Sequence, residues 1–415
     1  MTQLGDVTDM LVGFAFKSAG FLDADSDGVR LLRGDNVQQG YIRWGDKIKR
    51  WPSPEYDELG RYHLAANDVI LAMDRPIVGG GLKMAWIKPE DLPALLVQRV
   101  CRLRGKPGSA LTSFIRYVLA APDFSAHIHR ITTGANIPHI SGKDISAYEF
   151  YLPDLAEQAC IVECLSAYDD LIATNQRRIA LLEDAARRLY REWFVRLRFP
   201  GHESLPVKDG VPEGWEQGSA HDFISILSGG TPKTGVEHYW GGDIPFFTPK
   251  DSPNAFYVVD TEKMLTESGL SSCNSRLFAK NTTFITARGT VGKVALAQKP
   301  MAMNQSCYAL APKQDYDNLF LFAAIKDAVE HFKQVAVGGV FDAIVIDTFK
   351  VIPFVLPDAA LTRTFGNTVR PLFQQIETLL LQNAKLAQSR DLLLPKLMSG
   401  QLNVSGIRLP DEVAV

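Results

Sequence analysis

Two stretches of the chain carry an apolar stripe at alternating steps of four and three. The first runs Ile161, Leu165, Tyr168, Ile172, Asn175, Ile179, Leu182, Ala186, Leu189 and Trp193. The second runs Phe365, Val369, Leu372, Ile376, Leu379, Asn383, Leu386, Arg390, Leu393 and Leu397. A sustained 3.5-residue repeat is the seam of a coiled coil. The pattern predicts two helices of roughly 40 residues, each ~60 Å long, which is long for a domain core and suits a spacer. Each seam contains one asparagine, Asn175 in the first and Asn383 in the second. Antiparallel pairing over the full length would set these two face to face, with Trp193 opposite Phe365 and Tyr168 opposite Arg390. A polar seam residue fixes register at some cost in stability.

Outside the helices the pattern changes to short apolar runs divided by Gly- and Pro-rich turns, the mark of β-rich structure. The chain is also written twice. "GANIPHISGKDISAYEFYLPDLAEQ" (Gly134 to Gln158) and "GGVFDAIVIDTFKVIPFVLPDAALT" (Gly338 to Thr362) both pass from an apolar strand through Leu-Pro-Asp into a helix. Pro153 and Pro357 stand 204 positions apart, and the same shift pairs Gly134 with Gly338, Phe150 with Phe354, Asp154 with Asp358 and one seam with the other. Upstream the match is looser: "LAANDVILAMDRPIVGGGLKMAWI" parallels "LFAKNTTFITARGTVGKVALA", and "GVRLLRGDNV" parallels "DIPFFTPKDS". The expected fold is α+β, two β-rich domains separated by two long helices in an antiparallel coiled coil, with a pseudo-two-fold repeat. The expected boundaries are 1–153 and 200–357 for the domains, 154–199 and 358–403 for the helices, and 404–415 for a tail. The competing reading makes the helices core elements of one large domain.

Composition narrows the function classes. The net charge is −3 and the pI about 6.3, which argues against non-specific coating of nucleic acid while leaving room for a local basic face. Five cysteines without a CxxC argue against a disulfide framework or a zinc ribbon. No apolar run approaches the ~20 residues of a membrane span, so a cytoplasmic protein with no membrane association is expected. The turn "TARGTVGKVAL" is not a phosphate loop, because Val294 follows Lys293 where Ser or Thr is required and Ala287 replaces the first glycine. No Asn-Pro-Pro-aromatic stretch of the adenine methyltransferase type occurs, and Asp260, Glu262 and Lys263 lack the spacing of a nuclease motif. His127 and His129 have no acidic or cysteine neighbour in sequence that would complete a metal site. The reading is therefore of a binding protein with no catalytic residues, no metal and no cofactor of its own.

Loops rich in Gly, Thr and Asn with isolated basic residues suit a DNA duplex: amides and lysines hold phosphates, while Arg, Asn and Gln read base edges. The candidates are Arg33, Asn36, Arg43, Arg75 and Lys83 in the first half, and Thr231, Lys233, Lys250, Arg288, Lys293, Asn304 and Gln305 in the second. The basic stretch "RRIALLEDAARRLYREWFVRLRF" reads either as a solvated helix face or as a contact with DNA or a partner protein.

"LSGGTPKT…YWGGDIPFFTPKD", "ARGTVGKVAL", "FVLPD" and "RDLLLPKLMSGQL" resemble the specificity subunit of type I restriction–modification enzymes, over essentially the whole chain. The first domain has "MLVGFAFKSAGF" in place of the Gly-Gly-Thr-Pro block. The resemblance implies two target recognition domains, each reading one half of a split site in double-stranded DNA. It implies that the paired helices set the gap and dock two methyltransferase subunits, which restriction/translocase subunits then join. S-adenosylmethionine, ATP and Mg would belong to those partners. The alternatives are a solitary methyltransferase or nuclease, and a coiled-coil scaffold that does not bind DNA. Pro395, inside the second seam, removes a helical donor and predicts a kink or closing turn at that point, with Gly400 as the helix stop.

Overall fold

The two seams fold as long helices, α1 (Leu155–Tyr190) and α2 (Ala359–Met398). The structure, a computed structural model, describes residues 1–45, 48–132, 138–208, 210–335 and 343–404. Gly134, Gly338 and the tail from 405 onward lie outside the described residues. Leu-Pro-Asp starts the first helix for a local reason: Asp154 Oδ1 accepts the Glu157 N–H at 2.8 Å, an N-terminal cap. One turn in, buried Gln158 accepts the Leu111 N–H (2.9 Å) and donates to the carbonyls of Pro153 (2.9 Å) and Ser109 (3.1 Å). Every seam residue of both helices is buried or half-buried.

The chain divides into two units, Met1–Asp170 with Leu386–Val415, and Leu171–Lys385. In the first, strands β1 (Thr8–Val12), β2 (Val29–Leu32), β3 (Val69–Ala72), β4 (Met84–Trp86), β5 (Ala94–Leu96) and β6 (Val100–Gly105) form two sheets. One has the order β1-β6-β3-β4, and the other places β2 between Arg50–Trp51 and β5. The main core joins this domain to helix ends: Ile161 and Leu165 of α1, with Leu394, Leu397 and Met398 of α2, pack among Leu71, Leu103, Phe114 and Phe150.

The second unit repeats the plan. Its strands are β7 (Ile224–Ser228), β8 (Trp240–Phe247), β9 (Thr283–Thr286), β10 (Val294–Ala297), β11 (Ala302–Met303) and β12 (Cys307–Pro312). One sheet runs β7-β12-β9-β10, extended by Tyr257–Val258, and the other places β8 between Lys263–Leu265 and β11. In both units the second sheet's central strand pairs parallel on one side, Leu32 with Leu96 and Phe247 with Met303, and antiparallel on the other. The core takes in Ile179 and Ala186 of α1, Trp193 of the turn that continues it, and Phe365, Val369, Phe373, Ile376 and Leu379 of α2.

The first domain's divergent opening occupies the same place as the Gly-Gly-Thr-Pro block. A Cβ on Gly13, just after β1, would stand 2.2 Å from the Val97 carbonyl oxygen; one on Gly229, just after β7, would stand 2.3 Å from that of Asn304. Each glycine lets one strand end cross the turn that precedes the last strand of its sheet.

Pro395 does not close the helix. The α2 helix continues through it to Met398, and the expected turn falls at Gly400, in the left-handed region with φ of 72°. An interior proline costs about 3 kcal/mol. Burial of Leu394, Leu397 and Met398 in the first unit's core contributes ~1.5–3 kcal/mol for each side chain, which outweighs that cost and holds the last turn helical. At Arg191, which the 204-residue shift pairs with Pro395, α1 instead widens to π-helical spacing over Arg191–Val195, with the Arg196 N–H on the Arg191 carbonyl at 2.8 Å.

Gly13→Ala and Gly229→Ala should each destabilise the chain by about 1–3 kcal/mol, because a new methyl must displace backbone. Gly34→Ala and Gly60→Ala, where a Cβ meets nothing within 4 Å, should change little. Denaturation midpoints of the four variants check this.

Candidate nucleic-acid interface

In the first unit the candidates stand on the loop after β2 and on the connection between β3 and β4. The turn after β2 is held by its own side chains: the Arg33 N–H donates to Asn36 Oδ1 (2.9 Å), and Asn36 Nδ2 donates to the Arg43 carbonyl (3.1 Å). The Asn36 amide is thus engaged in shaping the loop. Arg33 lies 3.8 Å from Asp35, with its guanidinium over the Phe21 ring at 6.0 Å. Lys83 is half-buried, and burial, reinforced by Arg75 and Arg43, pushes its pKa down against Asp35 and Asp74. The Lys83 N–H on the Pro76 carbonyl at 2.6 Å sets Lys83 beside Arg75, whose backbone sits at a positive φ of 45°.

Sequence reasoning missed the ion-paired group next to Arg75. Asp74 Oδ2 accepts from Arg99 Nη1 at 2.7 Å, and Asp74 Oδ1 lies 2.5 Å from His139 Nδ1. Burial works to raise the Asp74 pKa, but the hydrogen bonds and charges of His139 and Arg99 outweigh it and hold the carboxyl below its ordinary value. The only local signal was a carboxylate beside Arg75; its partners are far away in sequence.

In the second unit the Thr231 hydroxyl donates to Gln305 Oε1, next to Asn304. Asn304 Oδ1 accepts the Ser306 N–H (3.0 Å), and the Ser306 carbonyl accepts from Ala287 (2.8 Å) and Arg288 (3.3 Å). Thr231, Arg288, Asn304 and Gln305 are thereby gathered at one turn, with Arg288 and Gln305 exposed. Lys250 sits beside them, since a Cβ on Gly289 would be 3.7 Å from Pro249. Thr248 and Asp251 cap that short turn, with the Thr248 N–H on Asp251 Oδ2 at 2.8 Å. Lys293, exposed, closes the Arg288 turn through its carbonyl, which accepts the Thr286 N–H at 3.0 Å. Lys233 stands on the loop before β8, its carbonyl taking the Trp240 indole N–H at 3.4 Å. His127 packs by Tyr148 with Nε2 3.0 Å from the Asp144 carbonyl, inside the first unit's fold. Among the described residues no group of three or more His, Cys, Asp or Glu could hold a metal ion.

The seam residues meet as antiparallel pairs within each unit. In the second, Asn175 Nδ2 donates to Asn383 Oδ1 at 2.9 Å, Asn383 Nδ2 reaches the Ile172 carbonyl at 3.3 Å, and the Trp193 and Phe365 rings lie 5.7 Å apart. Leu182, Leu189 and Leu372 pack on the same core. In the first unit Arg390 Nη1 reaches not Tyr168 but its neighbour Asp169, at 2.7 Å. Leu393 packs on that unit's core, and Leu386 lies half-buried at its start.

Two copies of one two-sheet domain, each leading through Leu-Pro-Asp into a long helix and each carrying basic loops at its turns, define a duplicated recognition architecture. Residues 2–184 and 212–381 both match the family model described as the type I restriction modification DNA specificity domain. The chain belongs to that family. It is 32% identical over 151 residues to the type I restriction enzyme MjaIX specificity subunit of Methanocaldococcus jannaschii, covering 35% of each chain. To the HindI specificity subunit of Haemophilus influenzae it is 21% identical over 356 residues, covering 70% of this chain and 78% of that one. To the EcoAI specificity subunit of Escherichia coli it is 36% identical over 185 residues, covering 44% and 30%. The fold is that of the type I restriction–modification S subunit crystal structure from M. genitalium, with a TM-score of 0.55, 17% identity and 95% of each chain covered.

Asn175→Ala and Asn383→Ala should each destabilise the second unit, and the double variant should cost less than their sum, with a coupling of about 0.5–1.5 kcal/mol. A double-mutant cycle from denaturation curves checks this.

Proposed function

We propose that this chain is the DNA-reading subunit of a type I restriction–modification complex and carries no catalysis of its own. Each β-rich domain reads one half of a split, asymmetric site in double-stranded DNA. The antiparallel helices set the gap between the half-sites and dock two methyltransferase subunits, to which restriction/translocase subunits attach. S-adenosylmethionine, ATP and Mg act on those partners, in the cytoplasm. Among the described residues no helix is long and apolar enough to cross a membrane.

The observation that carries this reading is the duplication at matched positions. The two domains share sheet order, the glycine crossing after the first strand and the basic turns, yet differ in the side chains those turns present. One scaffold with two divergent loop sets suits the reading of two different half-sites. The helix pairing supplies a defined register, through Asn175 and Asn383, for a spacer between them.

Mapping methylated adenines in cells that express the chain with its methyltransferase should yield a split motif with a fixed gap. A continuous palindrome would overturn the reading. Binding to target DNA should fall steeply with salt, because phosphate contacts release counterions. Inserting one whole heptad into each of α1 and α2 should change the gap or abolish assembly without changing which bases are read; mapping of the variant decides between this and a helix pair with no ruler role.

A further inference from the structure

The same three-way junction follows β3 and β9, and its side chains differ. After β3 the Met73 N–H donates to the Arg99 carbonyl (2.9 Å), the Met73 carbonyl accepts from Ile140 (2.9 Å), and Asp74 bridges His139. After β9 the Ala287 N–H donates to the Ser306 carbonyl (2.8 Å), the Ala287 carbonyl accepts from Ile344 (2.8 Å), and Arg288 bridges Ala343. Asp74 and Arg288 thus occupy one position of the repeated fold, Arg99 and Ser306 a second, and His139 and Ala343 a third.

In the second domain the first position itself carries an exposed arginine, facing a serine. In the first domain it carries a carboxylate, and the arginine stands on the opposing turn. Asp74 is the more enclosed partner, its side chain 29% exposed against 68% for Arg99. The bond to Arg99 Nη1 is matched by His139 on the other carboxylate oxygen. Arg99 has φ of 65° and Arg75, on the facing loop, 45°. Residues with a Cβ disfavour that region, and such strain concentrates at functional sites. Lys83, whose carbonyl accepts the Ala72 N–H at 3.0 Å, stands beside the junction as a point charge suited to phosphates, whereas the Arg99 guanidinium, anchored through one nitrogen, has its remaining donors aimed as a rigid fork. That fork matches the O6 and N7 of guanine in the major groove.

We propose that Arg99 in the first domain and Arg288 in the second each read a guanine in their own half-site, and that Asp74 is the positioning residue for Arg99. This rests on the DNA-reading function above and adds the base class and the residues. It also accounts for the divergence of the junction: the arginine is delivered from alternate stems, so the two forks approach the duplex from different sides of one scaffold.

The test maps methylated adenines in a methylation-free host expressing the full chain with its methyltransferase, as wild type and as Arg99→Lys, Arg288→Lys, Asp74→Asn and Asp74→Glu. Lysine keeps the charge and removes the fork. Arg99→Lys should lower the preference for guanine at one base pair of one half-site by roughly 5- to 150-fold, leaving the other half-site intact. Arg288→Lys should do the same in the other half. Asp74→Asn should relax the same base pair as Arg99→Lys, less severely, and Asp74→Glu should restore it. Uniform loss of methylation with both half-sites unchanged would mark the arginines as phosphate or structural residues and overturn the proposal. A wild-type chain that yields no split motif overturns the function on which the proposal rests, whereas a split motif that survives both lysine substitutions overturns the proposal alone.

Discussion

Burial of a helix end in the core of a β-rich domain is the interaction on which the rest depends. Each unit's main core is built from three sources at once: a β-domain, a segment of α1 and a segment of α2. In the second unit Phe365 and Phe373 are almost wholly buried against side chains of both the domain and α1. Long helices with only an apolar seam would gain modestly from pairing in water; joined to a domain core they are fixed along their ends. This is also why Pro395 is tolerated, since the residues around it belong to a core.

Polar groups then set direction within that apolar framework. In the first unit Asp169 on α1 gathers Arg116, the Tyr117 hydroxyl at 2.8 Å and Arg390 of α2 at 2.7 Å. It ties a domain helix and both long helices to one carboxylate, while the Arg116 guanidinium lies over the Trp86 ring at 3.6 Å. In the second unit Glu183, buried with its pKa raised by desolvation, accepts the Phe256 N–H at 2.6 Å. Glu377 of α2 takes Lys280 at 2.5 Å and Gln298 at 2.8 Å. These bonds demand one orientation where apolar packing tolerates several, and breaking one would strand a buried or half-buried charge.

The basic loops use the same scaffold with less constraint. The glycine crossings at Gly13 and Gly229 and the capped turns at Asn36 and Asp251 keep the loop bases alike, with the Arg33 and Thr248 amides bonded to the side chain three residues on. Above these bases the exposed positions differ between the two domains, and no core packing depends on them. A fold that separates the two demands can change its loop side chains without changing its stability.

The sequence by itself determined the long helices, their shared phase, the Leu-Pro-Asp steps and the duplication, because helical periodicity and capping are local and survive a constant 204-residue shift. The Asn175–Asn383 pair was legible for the same reason, as a matter of counting along two seams. Only the tertiary structure decided which loop residues correspond and meet. Gly13 and Gly229 stand 216 apart, Asp74 and Arg288 214, and Val97 and Asn304 207, so no single shift aligns them. Loops of unequal length join strands that hydrogen bonding holds in equal places, and only the sheet's register brings Asp74, Arg99 and His139 to one point.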